Sequence, residues 1–327
     1  METTEKTGES SASKGPRILL IGSQGQVGYE LRRSLRPLGE IVCAARKPAA
    51  GELAIDLTDA AAVARTIREV RPRLIVNAAA YTLVDQAEKE PGLAHAINGT
   101  APGVIQTAAN EIGAAVVHYS TDYVFDGSGD APWSETDAVG PLGVYGASKC
   151  AGERAVADAG GSHLVLRTSW VYGVHGANFV KKILTLALDR EQLRIVADQH
   201  GAPTSARAIA DVTAQMLAQA RADFGKLMKD RGGIYHLCCA GTTTWHGFTQ
   251  AIVERARRLG MGLKVGVIDP IPTSAFPTPA RRPLNSRLSC RRLQHDYALF
   301  PPAWQDALDD TLPPLVAQEF GVRPDRT

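Results

Sequence analysis

The chain has 327 residues, enough for one large domain or two modest ones with a proper core. Hydrophobic residues make up 44%, charged residues 21%, and the formal net charge is +2, which is ordinary for a soluble globular protein and gives no reason to expect nucleic acid or a membrane as partner. The five cysteines (Cys43, Cys150, Cys238, Cys239, Cys290) are odd in number and irregular in spacing, without a metal-binding pattern, so reduced thiols and a cytoplasmic location are expected.

Met1 to Lys14 is rich in Ser, Thr, Glu and Lys, lacks the apolar stretch of a signal peptide, and reads as a disordered tail. Nowhere does an apolar run approach the roughly 18 residues of a membrane span. Arg17 to Ile21 is a short apolar strand ending in the glycines Gly22, Gly25 and Gly28, after which Val27, Leu31 and Leu35 recur at helical spacing. A second strand spans Ile41 to Ala45, a helix Ala60 to Val70, and a buried strand Leu74 to Val76 that opens onto Asn77-Ala78-Ala79-Ala80. A helix over roughly Gly92 to Ile112 and a strand from Ala115 to Ser120 continue the alternation. Strand-helix alternation implies an α/β fold, a Rossmann-type doubly wound parallel sheet with its ligand at the carboxyl ends of the strands. After about residue 170 the pattern loosens. Val180 to Asp189 reads as a helix, Ile234 to Cys238 as a late strand, and the proline-rich Pro270 to Pro283 as a loop. The expected division is 15–170, joined by part of 205–240, for the dinucleotide domain, with 171–204 and 241–327 as a smaller C-terminal substrate-binding lobe.

Glycines spaced Gly22-x-x-Gly25-x-x-Gly28 between a strand and a helix let the backbone approach a pyrophosphate, which the free N–H groups of the helix terminus then bind. Tyr145 and Lys149 stand at i and i+4, side by side on a helix face, so the ammonium is expected to lower the phenol's pKa for proton exchange. Thr121, which follows a strand, can hydrogen-bond a substrate carbonyl oxygen beside that tyrosine; a helix cap or Asx turn is the competing role for Thr121 and Asp122. These features describe a nicotinamide-dependent hydride transfer. No acid lies between Ile41 and Gly51, and Arg46 and Lys47 follow the second strand directly. That suits the 2′-phosphate of NADPH over the bare ribose of NADH, with Asp56 placed nearer the adenine. Arg281, Arg282 and Arg287 suit a diphosphate, with a solvated basic face as the alternative.

The motifs resemble the dTDP-4-dehydrorhamnose reductase family of extended short-chain dehydrogenases. The matching stretches run from Arg17 to about Leu288 and include Gly22-Ser-Gln-Gly25-Gln26-Val27-Gly28, Val76 to Ala80, His118 to Phe125, Val144 to Lys149, Arg167 to Gly173, Asp198 to Thr204 and Pro277 to Arg287. The resemblance implies reduction of dTDP-4-dehydro-L-rhamnose at C4 to dTDP-L-rhamnose, a donor for cell-surface polysaccharides such as O-antigen. Tyr145 would donate the proton, Lys149 tune it and hold the ribose, Thr121 bind the reacting oxygen, and Asp122, Trp170 and Arg282 contact the substrate. Gly22, Gly25, Gln26, Val27, Gly28, Asp56, Leu57, Ala78, Ala79 and Ala80 would line the cofactor site. It also admits a homodimer with magnesium held by helix carboxylates; Glu30 matches one such position, and no metal ligand set is assigned. Cys150 stands where the family has an aliphatic residue, and reads as a small core hydrophobe. Two rivals remain: a nucleotide-sugar epimerase or dehydratase on the same scaffold, and a non-catalytic NADP-binding regulatory subunit. Dehydratases carry Thr-Asp-Glu where this chain has Thr121-Asp122-Tyr123, and the intact Thr121, Tyr145 and Lys149 argue against the second.

Overall fold

The computed structural model describes residues 15–322, so the tail expected over Met1 to Lys14 lies outside the described residues. The strand β1 (Arg17–Ile21) has Ile18 to Ile21 fully buried, as a central strand covered on both faces requires. In chain order follow α1 (Gln26–Ser34), β2 (Glu40–Ala45), β3 (Leu53–Ala54), α2 (Ala60–Val70) and β4 (Leu74–Asn77). The short helices α3 (Val84–Ala87) and α4 (Pro91–His95) lead to α5 (Ala101–Ile112), β5 (Ala115–Thr121), α6 (Val144–Ala159) and β6 (His163–Thr168). The chain then leaves the sheet through β7 (Val171–Tyr172), α7 (Phe179–Asp189), β8 (Gln192–Val196), β9 (His200–Gly201) and β10 (Thr204–Ser205). Next come α8 (Ala206–Ala218) and α9 (Phe224–Arg231), after which β11 (Gly233–His236) rejoins the sheet. The last elements are β12 (Thr243–Thr244), α10 (Trp245–Arg258), β13 (Val267–Ile271), α11 (Arg291–Tyr297) and α12 (Trp304–Phe320).

Seven strands form one parallel sheet in the order β11-β6-β5-β4-β1-β2-β3. The winding reverses at β1, which lies between β2 and β4, and this opens a crevice at the carboxyl ends. Ile21 pairs with Asn77 there, and Ala78 N donates to Ile21 O at 2.9 Å, so the segments after β1 and β4 emerge side by side.

Apolar side chains of α1, α8, α9 and α11 (Leu31, Ile209, Met216, Leu227, Tyr297) cover one face of the sheet; α2 and α5 (Val63, Ile67, Ile105, Ala109) cover the other. A separate cluster joins α7, α10 and α12 through Leu184, Phe248, Ile252, Leu308 and Leu312. No helix among the described residues is long and apolar enough to cross a membrane.

Two local expectations need correction. The helix expected over Gly92 to Ile112 is interrupted by a π-helical turn, Ala96–Thr100, between α4 and α5. The turn buries Asn98, whose amide bonds both the N–H and the carbonyl of Tyr81 and also the Ser148 hydroxyl. The segment Pro270 to Pro283 is not all loop: Pro270 and Ile271 belong to β13 and pair with Ile195 and Val196 of β8. A two-stranded sheet consists of edges, where a missing N–H is tolerated.

Candidate active site

The turn after β1 is built by close approach. Gly22 has φ +83°, and a Cβ there would lie 2.5 Å from Ala79 N; a Cβ on Gly28 would lie 2.0 Å from Gly22 O. Bulkier residues would push the loop off the β4 turn and α1 off β1. Gly25 differs, since its Cβ would meet only Gly22 O at 3.4 Å. It caps α1 without a side-chain hydrogen bond, so the loop side is open and the first-turn N–H groups, beginning at Gln26, Val27 and Gly28, lack intrahelical partners. An open glycine at a helix N-terminus fits a dinucleotide pyrophosphate. Ala78, Ala79 and Ala80 line the facing wall as partly buried residues.

Arg46 and Lys47 leave β2 exposed to solvent. Asp56 is exposed too, accepts from the Thr58 N–H and hydroxyl at 2.9 and 2.8 Å, and is held below its usual pKa by those bonds and then by the Arg46 charge. Leu57 is buried behind it.

Sequence reading missed Glu52. It stands just beyond the acid-free stretch and returns to the glycine loop, with its side chain 3% exposed. Its oxygens accept from Ser23 Oγ (3.2 Å), Gln24 Nε2 (2.7 Å) and Ala49 N (3.0 Å), and Arg32 Nη1 lies at 3.1 Å. Burial pushes this carboxyl up, but the four donors outweigh it and hold the pKa below normal. With about four acceptor sites on a carboxylate, Glu52 is saturated by protein and ties the loop after β2 to the glycine loop.

The second half of the site gathers at the ends of β5 and α6. Thr121, the last residue of β5, donates to Asp122 Oδ1 at 3.0 Å and accepts from Tyr123 N at 3.2 Å. Tyr145, in the first turn of α6, packs edge-on against Tyr123 and lines a narrow cleft with Glu88, Ala280 and Arg281. Burial pushes the Tyr145 phenol up to about 12, partly opposed by the Thr121 hydroxyl. This corrects the expected lowering by Lys149, which is not among the groups acting on the phenol. Lys149 is 2% exposed and donates to Tyr119 O at 2.6 Å; burial lowers its pKa to about 8, although Glu153 pulls the other way. Beside it lies His118, whose Nδ1 faces Asn77 Nδ2 at 3.1 Å and which burial and then the Lys149 charge hold neutral.

Asp122 is 2% exposed, and burial raises its pKa to about 6 against hydrogen bonding from Ser286, Thr121 and Ser169. Thr121 takes its Oδ1, and its Oδ2 is closed off from solvent in this structure. Trp170 adopts φ +48° and stacks on Trp245 with centroids 3.6 Å apart. Gly201 permits this, since a Cβ there would lie 2.6 Å from the Trp170 ring. Arg282 is already engaged: Nη2 pairs with Asp85 at 2.8 Å and Nη1 donates to Ala280 O. Cys150 is 4% exposed in an apolar cluster. Glu30, the one position matched to a magnesium ligand, lies beside Arg33, which also pairs with Asp211, and within the described residues of this chain no group of three or more His, Cys, Asp or Glu could hold a metal ion.

The RmlD substrate binding domain model matches residues 16–316. The chain belongs to the dTDP-4-dehydrorhamnose reductase family. It is 49% identical over 288 residues to the dTDP-4-dehydrorhamnose reductase of Escherichia coli K12, covering 88% of this chain and 94% of that one. The solved dTDP-4-dehydrorhamnose reductase from Clostridium acetobutylicum superposes with a TM-score of 0.81 at 33% identity, over 90% of this chain and 98% of the other. The Bacillus anthracis structure, solved in complex with NADP, gives 0.80 at 33% identity, over 91% and 98%.

Proposed function

We infer that this chain reduces the C4 keto group of dTDP-4-dehydro-L-rhamnose with NAD(P)H and forms dTDP-L-rhamnose for cell-surface polysaccharide synthesis in the cytoplasm. The observation that supports this reading is the Thr121 hydroxyl acting on the Tyr145 phenol, in a member of this reductase family whose glycine turn after β1 is open. When bound, the nicotinamide supplies the hydride.

Gly22, Gly25 and Gly28, with the N–H groups of Gln26 and Val27, would hold the pyrophosphate, and Ala78 to Ala80, Asp56 and Leu57 the rest of the dinucleotide. Tyr145 keeps its proton at neutral pH, as an ordinary phenol does, and burial moves its pKa further up. A general acid must hold its proton until the carbonyl oxygen becomes an alkoxide, a far stronger base than the phenolate. Thr121 places a hydroxyl beside the phenol, suited to hold the same oxygen. Lys149 would leave Tyr119 O for the nicotinamide ribose and Tyr145 when the site fills. The Asp122 carboxylate would accept from a sugar hydroxyl once the site opens to substrate, and Trp170 would wall the sugar site. Arg282 would exchange Asp85 for the substrate diphosphate. NADPH is the preferred cofactor in this reading, with the exposed Arg46 and Lys47 receiving its 2′-phosphate.

The test is absorbance at the nicotinamide band with dTDP-4-dehydro-L-rhamnose. Stoichiometric NADPH consumption with formation of dTDP-L-rhamnose is expected. Sugar conversion without net cofactor consumption would identify an epimerase or dehydratase. Cofactor binding without turnover would identify a regulatory subunit.

A further inference from the structure

Between β7 and α7 the chain runs back across the glycine loop. His175 Nε2 donates to Gln24 O at 2.9 Å, and its ring stacks on Tyr29 of α1 with centroids 4.4 Å apart and planes 6° from parallel. Three residues on, the Asn178 amide works in two directions. Its oxygen accepts from Lys181 N and caps α7, while its Nδ2 donates to Gly173 O at 2.7 Å and to Gln26 Oε1 at 3.2 Å. Gly176 brings the backbone so close that a Cβ there would lie 3.1 Å from Gln26 Cγ. Both ends of the loop stretch Gln24-Gly25-Gln26 are thus tethered to a segment more than 140 residues away in sequence.

We propose that His175 and Asn178 are positioning residues for the dinucleotide: from the segment that starts α7, they hold the glycine loop in the shape that receives the pyrophosphate. The inference rests on the reading that the glycine loop is the cofactor's diphosphate site. A glycine loop can take many backbone conformations, and one that points several N–H groups at an anion must be kept against that freedom. The Gln24 carbonyl is the acceptor His175 takes, and the N–H of the same peptide unit, on Gly25, donates to Gly22 O at 3.0 Å, so this peptide is held from both sides. Asn178 fixes the first side chain of α1 in the same way.

NADPH fluorescence titration of the full chain tests this. His175→Phe keeps the stacked ring and removes the donor. Asn178→Ser keeps an N-capping hydroxyl for α7 but is too short to reach Gln26. Each change should weaken NADPH binding about threefold to tenfold, the share of one hydrogen bond, while dTDP affinity stays within about twofold and the Michaelis constant for NADPH rises more than kcat falls. An NADPH Kd below threefold above the parent's in both variants overturns the proposal, as does an equal loss of dTDP affinity, which marks a merely structural role. Gly25→Val separates the two layers. If it binds NADPH as the parent does, the diphosphate site is elsewhere and the proposal falls with it. If it loses NADPH while His175→Phe and Asn178→Ser retain it, only the proposal falls.

Discussion

Lys149 Nζ donates to the Tyr119 carbonyl oxygen across 2.6 Å, so the buried lysine of α6 is held by the end of β5 and does not act on the phenol one helical turn before it. The two members of the pair are therefore perturbed by burial independently, and their pH behaviour separates.

Tyr145, as the proposed acid, is protonated at neutral pH, and burial moves its pKa still further from 7. Tyr145→Phe retains the ring packed on Tyr123 and removes the proton, so kcat should fall by a factor on the order of 10² or more while NADPH binding stays near the parent value. Steady-state rates beside an NADPH titration check this, and a fully active Tyr145→Phe would remove Tyr145 as the acid.

For Lys149, the lowered pKa is a statement about stability. Between about 8, its folded value, and 10.5, its ordinary one, the unfolded chain binds more protons, so stability rises with pH across that window. Below about 8 the cost of burying the ammonium is present in full, roughly 3 kcal/mol at one pKa unit per 1.36 kcal/mol. Lys149→Met should melt at or above the parent's Tm at pH 7, lose that advantage toward pH 10, and be inactive. A variant that melts well below the parent at pH 7 would show that the bond to Tyr119 outweighs the desolvation.

Under the proposed function, the exposed pair after β2 would set the cofactor preference. The specificity constant for NADPH should exceed that for NADH, and Arg46→Ala should lower the NADPH constant by about tenfold, as for a lost charge-assisted bond, with little effect on NADH. A parent that prefers NADH, or an NADPH constant untouched by Arg46→Ala, removes the 2′-phosphate from this edge.

Arg282 and Asp85 should respond in opposite directions. Asp85, held below its normal pKa chiefly by the Arg282 hydrogen bond, would compete with the substrate diphosphate for the guanidinium if Arg282 binds it as proposed. Arg282→Ala should raise the Michaelis constant for the sugar nucleotide and Asp85→Asn should lower it, each without change in NADPH affinity. If both raise it alike, Arg282 supports its loop through Asp85 and does not meet the substrate.

How much of this is legible in the sequence depends on how local the cause is. The strand, glycine turn and helix from Arg17 to Ser34 follow from spacing alone, and α2 spans the predicted Ala60–Val70 because its apolar face and its Asp59 cap are both local signals. Tyr145 and Lys149 share a face of α6 because residues i and i+4 of a helix do; where the ammonium points was set by the Tyr119 carbonyl, 30 residues earlier. Glu52 left no signal, because its role comes from four donors spread over the glycine loop, α1 and its own loop. Arg282 reads as a free cation until the fold brings Asp85 to it from 197 residues away.

The sheet's last strand carries a consequence for how the chain is made. Leu164 and Leu166 of β6 are fully buried, yet the neighbour that covers their edge, β11, is 69 residues further along: Gly233 pairs with Leu164. During synthesis, β6 therefore leaves the ribosome with an unsatisfied, apolar margin and must wait several seconds, at roughly 5–20 residues per second, for its partner. An open hydrophobic strand edge invites pairing with other chains. The nascent polypeptide is thus most vulnerable to aggregation after β6 emerges and before Gly233 to His236 do, the interval in which a chaperone would matter most.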